Sequence, residues 1–444
     1  MTPATPDFER QTYRKVTRRL IPFLFICYVL AYVDRVNVGF AKLQMQQDLG
    51  MSDAVYGLGA GIFFIGYFFF EVPANMVLQR LGARLWLGPI MIVWGVVSAA
   101  TMFVQGPRSF YALRFLLGVV ESGFFPGVIL YLTYWYTRKH RAKMVAGFMA
   151  ANPISGVLAG PVSGWILANL VDAGGLRAWQ WLFVLEGIPS VLAGAVTLVY
   201  LVDNPVKAKW LSPEERDLVL RRLEEEEETK RREGESRHSL ADAFKSGKVW
   251  LLALIYFGVV AGNYGLWFWL PQVIKDTLTP DPWRIGLITI IPWGTAAVVM
   301  VLYGHHSDAK GERRWHISLA MLFGAAAFSL SALPGISGVA GLAALTASAA
   351  AVMCGQSLFW ALPTAILSGS AAAAGIAWIN SVGNLAGYVS PYLIGVVRDS
   401  TGSMAQALVA LSASMLMSAL LVIVIARPRR TSLTGREGTS DGGT

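Results

Sequence analysis

Apolar residues gather along this chain into runs of about twenty, set off by short polar turns. A run of that length crosses a bilayer core of roughly 30 Å as a single helix. Twelve such runs can be placed, near 20–42, 54–77, 85–105, 109–135, 143–169, 179–201, 248–274, 285–303, 315–333, 338–366, 373–397 and 404–426. The first is too long for a signal peptide and no small-residue cleavage site follows it, so it is expected to remain as the first helix. The pattern predicts an all-α membrane protein with twelve transmembrane helices.

One polar stretch is different in kind. From Asp203 to Lys248 the sequence turns densely charged, including "LRRLEEEEETKRREGESRH", with little apolar surface to bury. It reads as a solvated linker, helical after Ser212, a cap residue placed before Pro213, Glu214 and Glu215. Six runs precede it and six follow. The expected organisation is therefore a tail over 1–19, a six-helix bundle over 20–201, the charged linker over 202–247, a second six-helix bundle over 248–426 and a C-terminal tail over 427–444.

Lys and Arg fall on alternate turns. Arg10, Arg14, Lys15, Arg18 and Arg19 precede the first run, and Arg80, Arg84, Arg138, Lys139, Arg141, Lys143, Lys310, Arg313 and Arg314 share its side. Arg427, Arg429 and Arg430 follow the last run. The positive-inside rule puts this side, and both termini, in the cytoplasm. Opposite turns hold only Lys42, Arg108, Arg177, Lys275, Arg284 and Arg398.

Composition agrees: of 444 residues, 55% are hydrophobic and 15% charged, too few polar groups to coat a soluble globule of this size. The formal net charge of +9 is dispersed over the basic turns, so no nucleic-acid partner is expected. Cys27 and Cys354 both lie in apolar runs without metal-site or redox spacing, and no metal or other cofactor is expected beyond protons as coupling ions.

The two halves echo each other, the sign of a duplicated unit. "NMVLQRLGARLW" aligns with "GHHSDAKGERRW" at a shift of 229, pairing Gln79 with Asp308, Gly82 with Gly311 and Arg84 with Arg313. "GVLAGPVSG" aligns with "GNLAGYVSP" at a shift of 227, pairing Gly156 with Gly383 and Gly160 with Gly387.

The turn "GHHSDAKGERR" resembles the G-x-x-x-D-x-x-G-x-R-R signature of the major facilitator superfamily, whose plan is two pseudo-symmetric six-helix bundles. That likeness implies a cytoplasmic gating motif at Gly304, Asp308, Gly311 and Arg313, with a first-half copy at Gln79, Arg80, Gly82 and Arg84 that lacks the usual acid. "YVDRVNVGFA", "GIFFIGYFFFEVPAN", "RFLLGVVESGFFPG" and "WQWLFVLEGIPS" together resemble the anion:cation symporter family, covering residues 15–426. Its members include bacterial proton symporters for galactonate, tartrate, phthalate and hydroxyphenylacetate. The resemblance implies a monomer in the bacterial inner membrane, carrying a small organic anion with protons by alternating access.

Charged residues inside the runs are few. No histidine lies there, so a proton carried through the membrane must ride on Asp34, Glu71, Glu121 or Glu186. The bases are Arg35 and Arg114; Arg114 and Glu121, seven apart, share a helix face. The family's acid and arginine of the first span fall on Asp34 and Arg35, and those of the fourth on Arg114 and Glu121. The four are expected to meet in one cavity, Asp34 and Glu121 coupling protons while Arg35 and Arg114 clamp a carboxylate. Glu71 and Glu186, each close to a proline, are expected to be structural. By likeness, Tyr32, Tyr67, Asn263, Tyr264, Ser357, Trp360, Asn380 and Asn384 complete the substrate site. Phe359, where the galactonate type is expected to carry threonine, argues for a tartrate-type dicarboxylate or an aromatic acid over a many-hydroxyl sugar acid. A proton-coupled exporter is the alternative, and paired cavity arginines count against a cationic drug. An enzyme would need a nucleophile with a base or a metal cluster, which the runs do not supply.

Overall fold

The computed structural model describes residues 5–232, 245–367 and 371–425, and every regular element there is helical. In chain order the α-helices are α1 (Pro6–Val36), α2 (Val38–Asp48), α3 (Asp53–Leu81), α4 (Ala83–Ala100), α5 (Pro107–Glu121), α6 (Phe124–Thr133), α7 (Arg138–Met149), α8 (Ala151–Asn169), α9 (Ala178–Tyr200) and α10 (Pro213–Arg232). After the linker come α11 (Gly247–Thr277), α12 (Pro282–Ile288), α13 (Ile290–Lys310), α14 (Arg314–Ser331), α15 (Gly338–Phe359), α16 (Ala361–Ile366), α17 (Ala371–Asn384), α18 (Ala386–Thr401) and α19 (Met404–Ile425).

Nine helical stretches among the described residues are long and apolar enough to cross a membrane. The other three runs, around α7–α8, α14 and α17–α18, are helical but diluted by Gly, Ala, Ser and Asn, the residues that let helices approach closely rather than face lipid. Many large apolar side chains point outward, Leu192, Val199 and Phe323 among them, as a hydrocarbon solvent allows. This is an all-α membrane fold.

Glycine explains how the two sequence halves touch. A Cβ built at Gly61 of α3 would stand 2.6 Å from the Tyr388 carbonyl oxygen of α18. In the mirrored position, one at Gly160 of α8 would stand 2.6 Å from the carbonyl oxygen of Gly286 in α12. Any larger residue would push these backbones apart. The small-residue repeats therefore lie at helix crossings between the halves.

The linker is partly built. Ser212 and Glu215 cap α10 reciprocally, the Glu215 N–H donating to Ser212 Oγ (3.2 Å) and the Ser212 N–H to Glu215 Oε2 (2.8 Å). Lys15–Glu215 and Arg222–Glu9 ion pairs, each at 2.6 Å, tie α10 to α1. The charged run is thus a docked helix as far as Arg232; residues 233–244 and the tail from 426 lie outside the described residues.

Candidate functional site

Two helix breaks create the site. α1 stops at Val36 with Asn37 between it and α2, and α5 stops at Glu121 before Ser122 and Gly123. The last turns of α1 and α5 thereby face each other. Arg35 donates from Nε (3.0 Å) and Nη2 (2.8 Å) to Glu121 Oε2, and from Nη1 to the Tyr264 hydroxyl (3.3 Å) on α11. This one guanidinium joins both halves of the chain. Arg114, 1% exposed, donates from Nη2 to the carbonyls of Arg35 (3.1 Å) and Ala60 (3.3 Å). Its Nε and Nη1, and Glu121 Oε1, have no hydrogen-bond partner among the described residues. With Glu121 ionised these three side chains carry a net +1; with it protonated, +2.

Arg114 and Glu121 share a face of α5 as their spacing predicts, but the hydrogen-bonded partner of Glu121 is Arg35. Glu121 is the last residue of α5, where the helix breaks, and its carboxylate reaches across to α1, while backbone carbonyls occupy Arg114. Asp34 is also not where the four-charge cluster required. Adjacent side chains on a helix diverge by about 100°, so Asp34 turns behind α1, fully buried, and accepts from Trp94 Nε1 (3.0 Å), Ser98 Oγ (2.7 Å) and Ser190 Oγ. Among the described residues no cation bridges it. Glu186 lies one turn before Ser190 on α9; Ser163 donates to one of its oxygens (2.6 Å) and the other has no partner.

Aromatic rings wall the arginines. The Arg35 guanidinium sits 5.1 Å from the Tyr32 and Phe63 ring centres and 5.5 Å from that of Tyr67. Tyr32 accepts from Asn152 Nδ2 (3.0 Å), and Tyr264 packs on Phe64 at 4.3 Å. Beside it, buried Asn263 has both amide atoms unpartnered. The remaining expected site residues stand apart from the arginines. Trp360 packs with Tyr256 (4.8 Å) and Phe359 (5.4 Å), Ser357 donates to the Cys354 carbonyl (3.0 Å), and Asn384 is half-buried at the end of α17. Asn380 is engaged by an acid set aside as structural: it donates to Glu71 Oε1 (3.2 Å), and Ser381 donates to Oε2 (3.4 Å), so Glu71 links α3 to α17. Phe63 and Phe64 were not singled out from the sequence; their helical spacing with Ala60 and Tyr67 is the signal that marks that face.

The family model described as Major Facilitator Superfamily matches residues 24–391. The chain belongs to the major facilitator superfamily. It is 47% identical over 421 residues to a provisionally named tartrate transporter of Agrobacterium vitis, covering 95% of this chain and 96% of that protein. It is 44% identical to a quinolone resistance transporter of Acinetobacter baumannii, covering 94% of this chain and 96% of that one. The xylose transporter of E. coli, solved in an inward-open conformation, shares the fold: TM-score 0.73 at 15% identity, over 94% of this chain and 97% of that one.

The superfamily signature turn is fully formed in the second half. Gly311 caps α13 with φ +62°, Arg313 pairs with Asp308, and Arg313 Nη1 donates to Ser307 Oγ (2.6 Å). Glu312 caps α14, accepting from the N–H groups of Trp315 (2.7 Å) and His316 (3.2 Å). Burial pushes its carboxyl up, but these donors and the His316 ring more than offset that and hold it below the usual range. Gly304 is in open space. In the first half Gly82 likewise has positive φ (+82°) and Arg80 is exposed, while the Gln79 side chain lies outside the described residues. Close to this turn Asp203, just past α9, accepts from the Arg84 N–H (3.3 Å) and pairs with Lys207 (2.9 Å).

At the opposite end of α3 a charged chain crosses between the halves. Lys42 pairs with Asp53 (2.8 Å), Asp53 with Arg398 (3.3 Å) and Arg398 with Asp276 (2.7 Å). Of these ion pairs the middle one joins the two halves, alongside hydrogen bonds from Lys42 Nζ to Gln272 Oε1 (3.2 Å) and from the Asp53 and Ala54 N–H groups to the Asp399 carboxylate (3.0 and 2.8 Å), and each half keeps its own ion pair if they part. Arg398→Gln should therefore fold normally yet favour opening of this end. Losing one charge-assisted contact, worth about 1.5–3 kcal/mol, shifts the equilibrium roughly tenfold or more. Spin labels at the exposed positions Gln47 and Thr401 should show a new, longer distance; an unchanged distribution would assign the network to packing alone.

Proposed function

We propose that this transporter is a proton-coupled importer of a small organic anion, most favourably a tartrate-type dicarboxylate, of the anion:cation symporter type. Membership of the superfamily makes it a secondary active transporter rather than an enzyme. The observation that carries the proposal is Arg35 held by Glu121 beside an Arg114 with two unpartnered nitrogens. When Glu121 takes a proton it lets go of Arg35, and both guanidinium groups are free to grip a carboxylate. Proton and anion then require each other. Asp34 carries the second proton, in a pocket of hydroxyl and indole donors on α4 and α9, where its charge state bears on how α1 sits in its bundle. Tyr32, Tyr67, Asn263 and Tyr264 line the substrate, with Ser357, Trp360, Asn380 and Asn384 joining as the halves move.

Supporting this reading are the substrate named for the Agrobacterium relative and the aromatic walls, which suit a short anion better than a long polyol. The architecture we propose for it is twelve spans in two six-helix bundles, 20–201 and 248–426. The 1–19 and 427–444 tails and the 202–247 linker lie on the cytoplasmic face of a bacterial inner membrane, and the protein acts as a monomer. The Gly82 and Gly311 turns act as its cytoplasmic gates.

Uptake of radiolabelled tartrate into proteoliposomes is expected to rise under an inward proton gradient and to collapse with a protonophore. A sodium requirement with indifference to pH would overturn proton coupling. Benzoate as competitor distinguishes an aromatic acid from a dicarboxylate. The Acinetobacter relative gives substance to a second reading, export by antiport; accumulation driven only by an opposite proton gradient would favour it.

A further inference from the structure

A basic hollow of about 560 Å³ lies away from the arginine site, at the polar end of α1. Gln11, Arg14, Lys15 and Arg18 recur at helical spacing on one face of α1, and Arg19, Tyr200 of α9 and Trp210 complete the lining. Lys15 is neutralised by Glu215 (2.6 Å), whereas Arg14 and Arg18 have no ion pair or hydrogen bond among the described residues. Arg19 lies between two aromatic faces, 5.0 Å from the Tyr200 ring and 5.3 Å from that of Trp210, and its Nε is buried without a partner. The walls are fixed beforehand: Trp210 stacks on fully buried Trp135 (5.5 Å), and the Tyr200 hydroxyl donates to the Arg19 carbonyl (2.9 Å).

Charges that serve only to orient helices in a membrane need no cavity, no aromatic clamp and no orphaned guanidinium nitrogen. This hollow has all three, and it is cationic, so its ligand is an anion. Position identifies the kind. α1 turns from polar to apolar straight after Arg19, and α9 is apolar up to Tyr200, so the hollow sits where hydrocarbon meets water. Just beyond it, Ile26 of α1 and Val196 and Val199 of α9 point outward, an apolar strip on which acyl chains can lie. A soluble phosphate would use the cations but not the strip. We infer that this hollow binds the phosphate headgroup of an anionic phospholipid, with Arg14, Arg18 and Arg19 as donors. A headgroup there would touch both the start of α1 and the linker segment ahead of α10, bracing the docked linker against the first bundle.

The test uses the full chain purified in detergent, with phosphatidylglycerol, phosphatidylcholine and inorganic phosphate as separate probes. Native mass spectrometry should show phosphatidylglycerol retained in preference to phosphatidylcholine, and only phosphatidylglycerol should raise the unfolding temperature. Each cation near a phosphate contributes about fivefold in affinity, so Arg14→Gln with Arg18→Gln should weaken retention roughly thirtyfold. Both side chains are exposed and have no partner among the described residues, so the double variant should fold, as circular dichroism would verify. Arg108→Gln, an exposed cation on the far side, should retain lipid as the parent does. Equal retention of the two lipids, undiminished binding in the double variant, or an equal stabilisation by inorganic phosphate alone would each overturn the inference.

Discussion

Arg35→Ala is expected to abolish binding of the organic anion. Removing one partner of a buried, hydrogen-bonded charge pair costs about 2–5 kcal/mol, roughly thirtyfold to several thousandfold in affinity. Here the residue lost is also the one that spans from Glu121 to Tyr264, and so from one half of the chain to the other. Arg35→Lys should leave a weak remnant, because an ammonium cannot reproduce the planar fork. A fold defect has to be separated from lost recognition, since Arg35→Ala strands Glu121 in a site where only 1% of its surface is exposed. The double variant Arg35→Ala with Glu121→Gln removes both charges and should regain thermal stability without regaining binding. Calorimetric titration with tartrate provides the measurement. Parent-like affinity in the folded double variant would show that Arg35 only braces helices.

What the sequence conveyed and what it withheld have separate physical causes. Apolar run length is a one-dimensional property, so the helices, the charged interruption and the capping of α10 by Ser212 were readable. The three runs missing from the nine clear spans owe their low hydropathy to small residues, the same residues that set the contacts of Gly160 with Gly286 and of Gly61 with Tyr388. Pairing was harder. Seven-residue spacing places Arg114 and Glu121 on one face of α5, but which of the facing groups Glu121 bonds, Arg35 of α1, depends on how two distant helices meet. Contacts between distant segments left no local trace at all. Glu71 with Asn380, Asp203 with Arg84 and Asp53 with Arg398 lie 309, 119 and 345 residues apart, and nothing in any one stretch announces its partner.

Asp34→Asn should uncouple transport from the proton gradient while leaving the anion site intact. The side chain touches Trp94, Ser98 and Ser190 and none of the arginines' acceptors, so a neutral isostere leaves Arg35, Arg114 and Glu121 undisturbed. Asn can still accept from two of the three donors, and its own amide can donate to the third hydroxyl once that rotates. Binding of tartrate to the variant should stay within about twofold of the parent, inside the scatter of a neutral surface change. Exchange of internal for external label should also continue, because that cycle never requires the empty carrier to return with its acid ionised. Net accumulation is a different matter. If Asp34 must release its proton on the inside before the empty carrier resets, a residue that never ionises blocks that return, so net accumulation should fail even though Glu121 still takes its own proton. Glu121→Gln predicts the contrasting phenotype: binding persists but loses its dependence on pH, because Arg35 is no longer competed for by a carboxylate. Counterflow and gradient-driven uptake measured on the same vesicles separate the two. Should Asp34→Asn concentrate tartrate with ordinary proton dependence, the carboxylate is a helix tie among α1, α4 and α9, and the coupling proton must be carried by Glu121 alone.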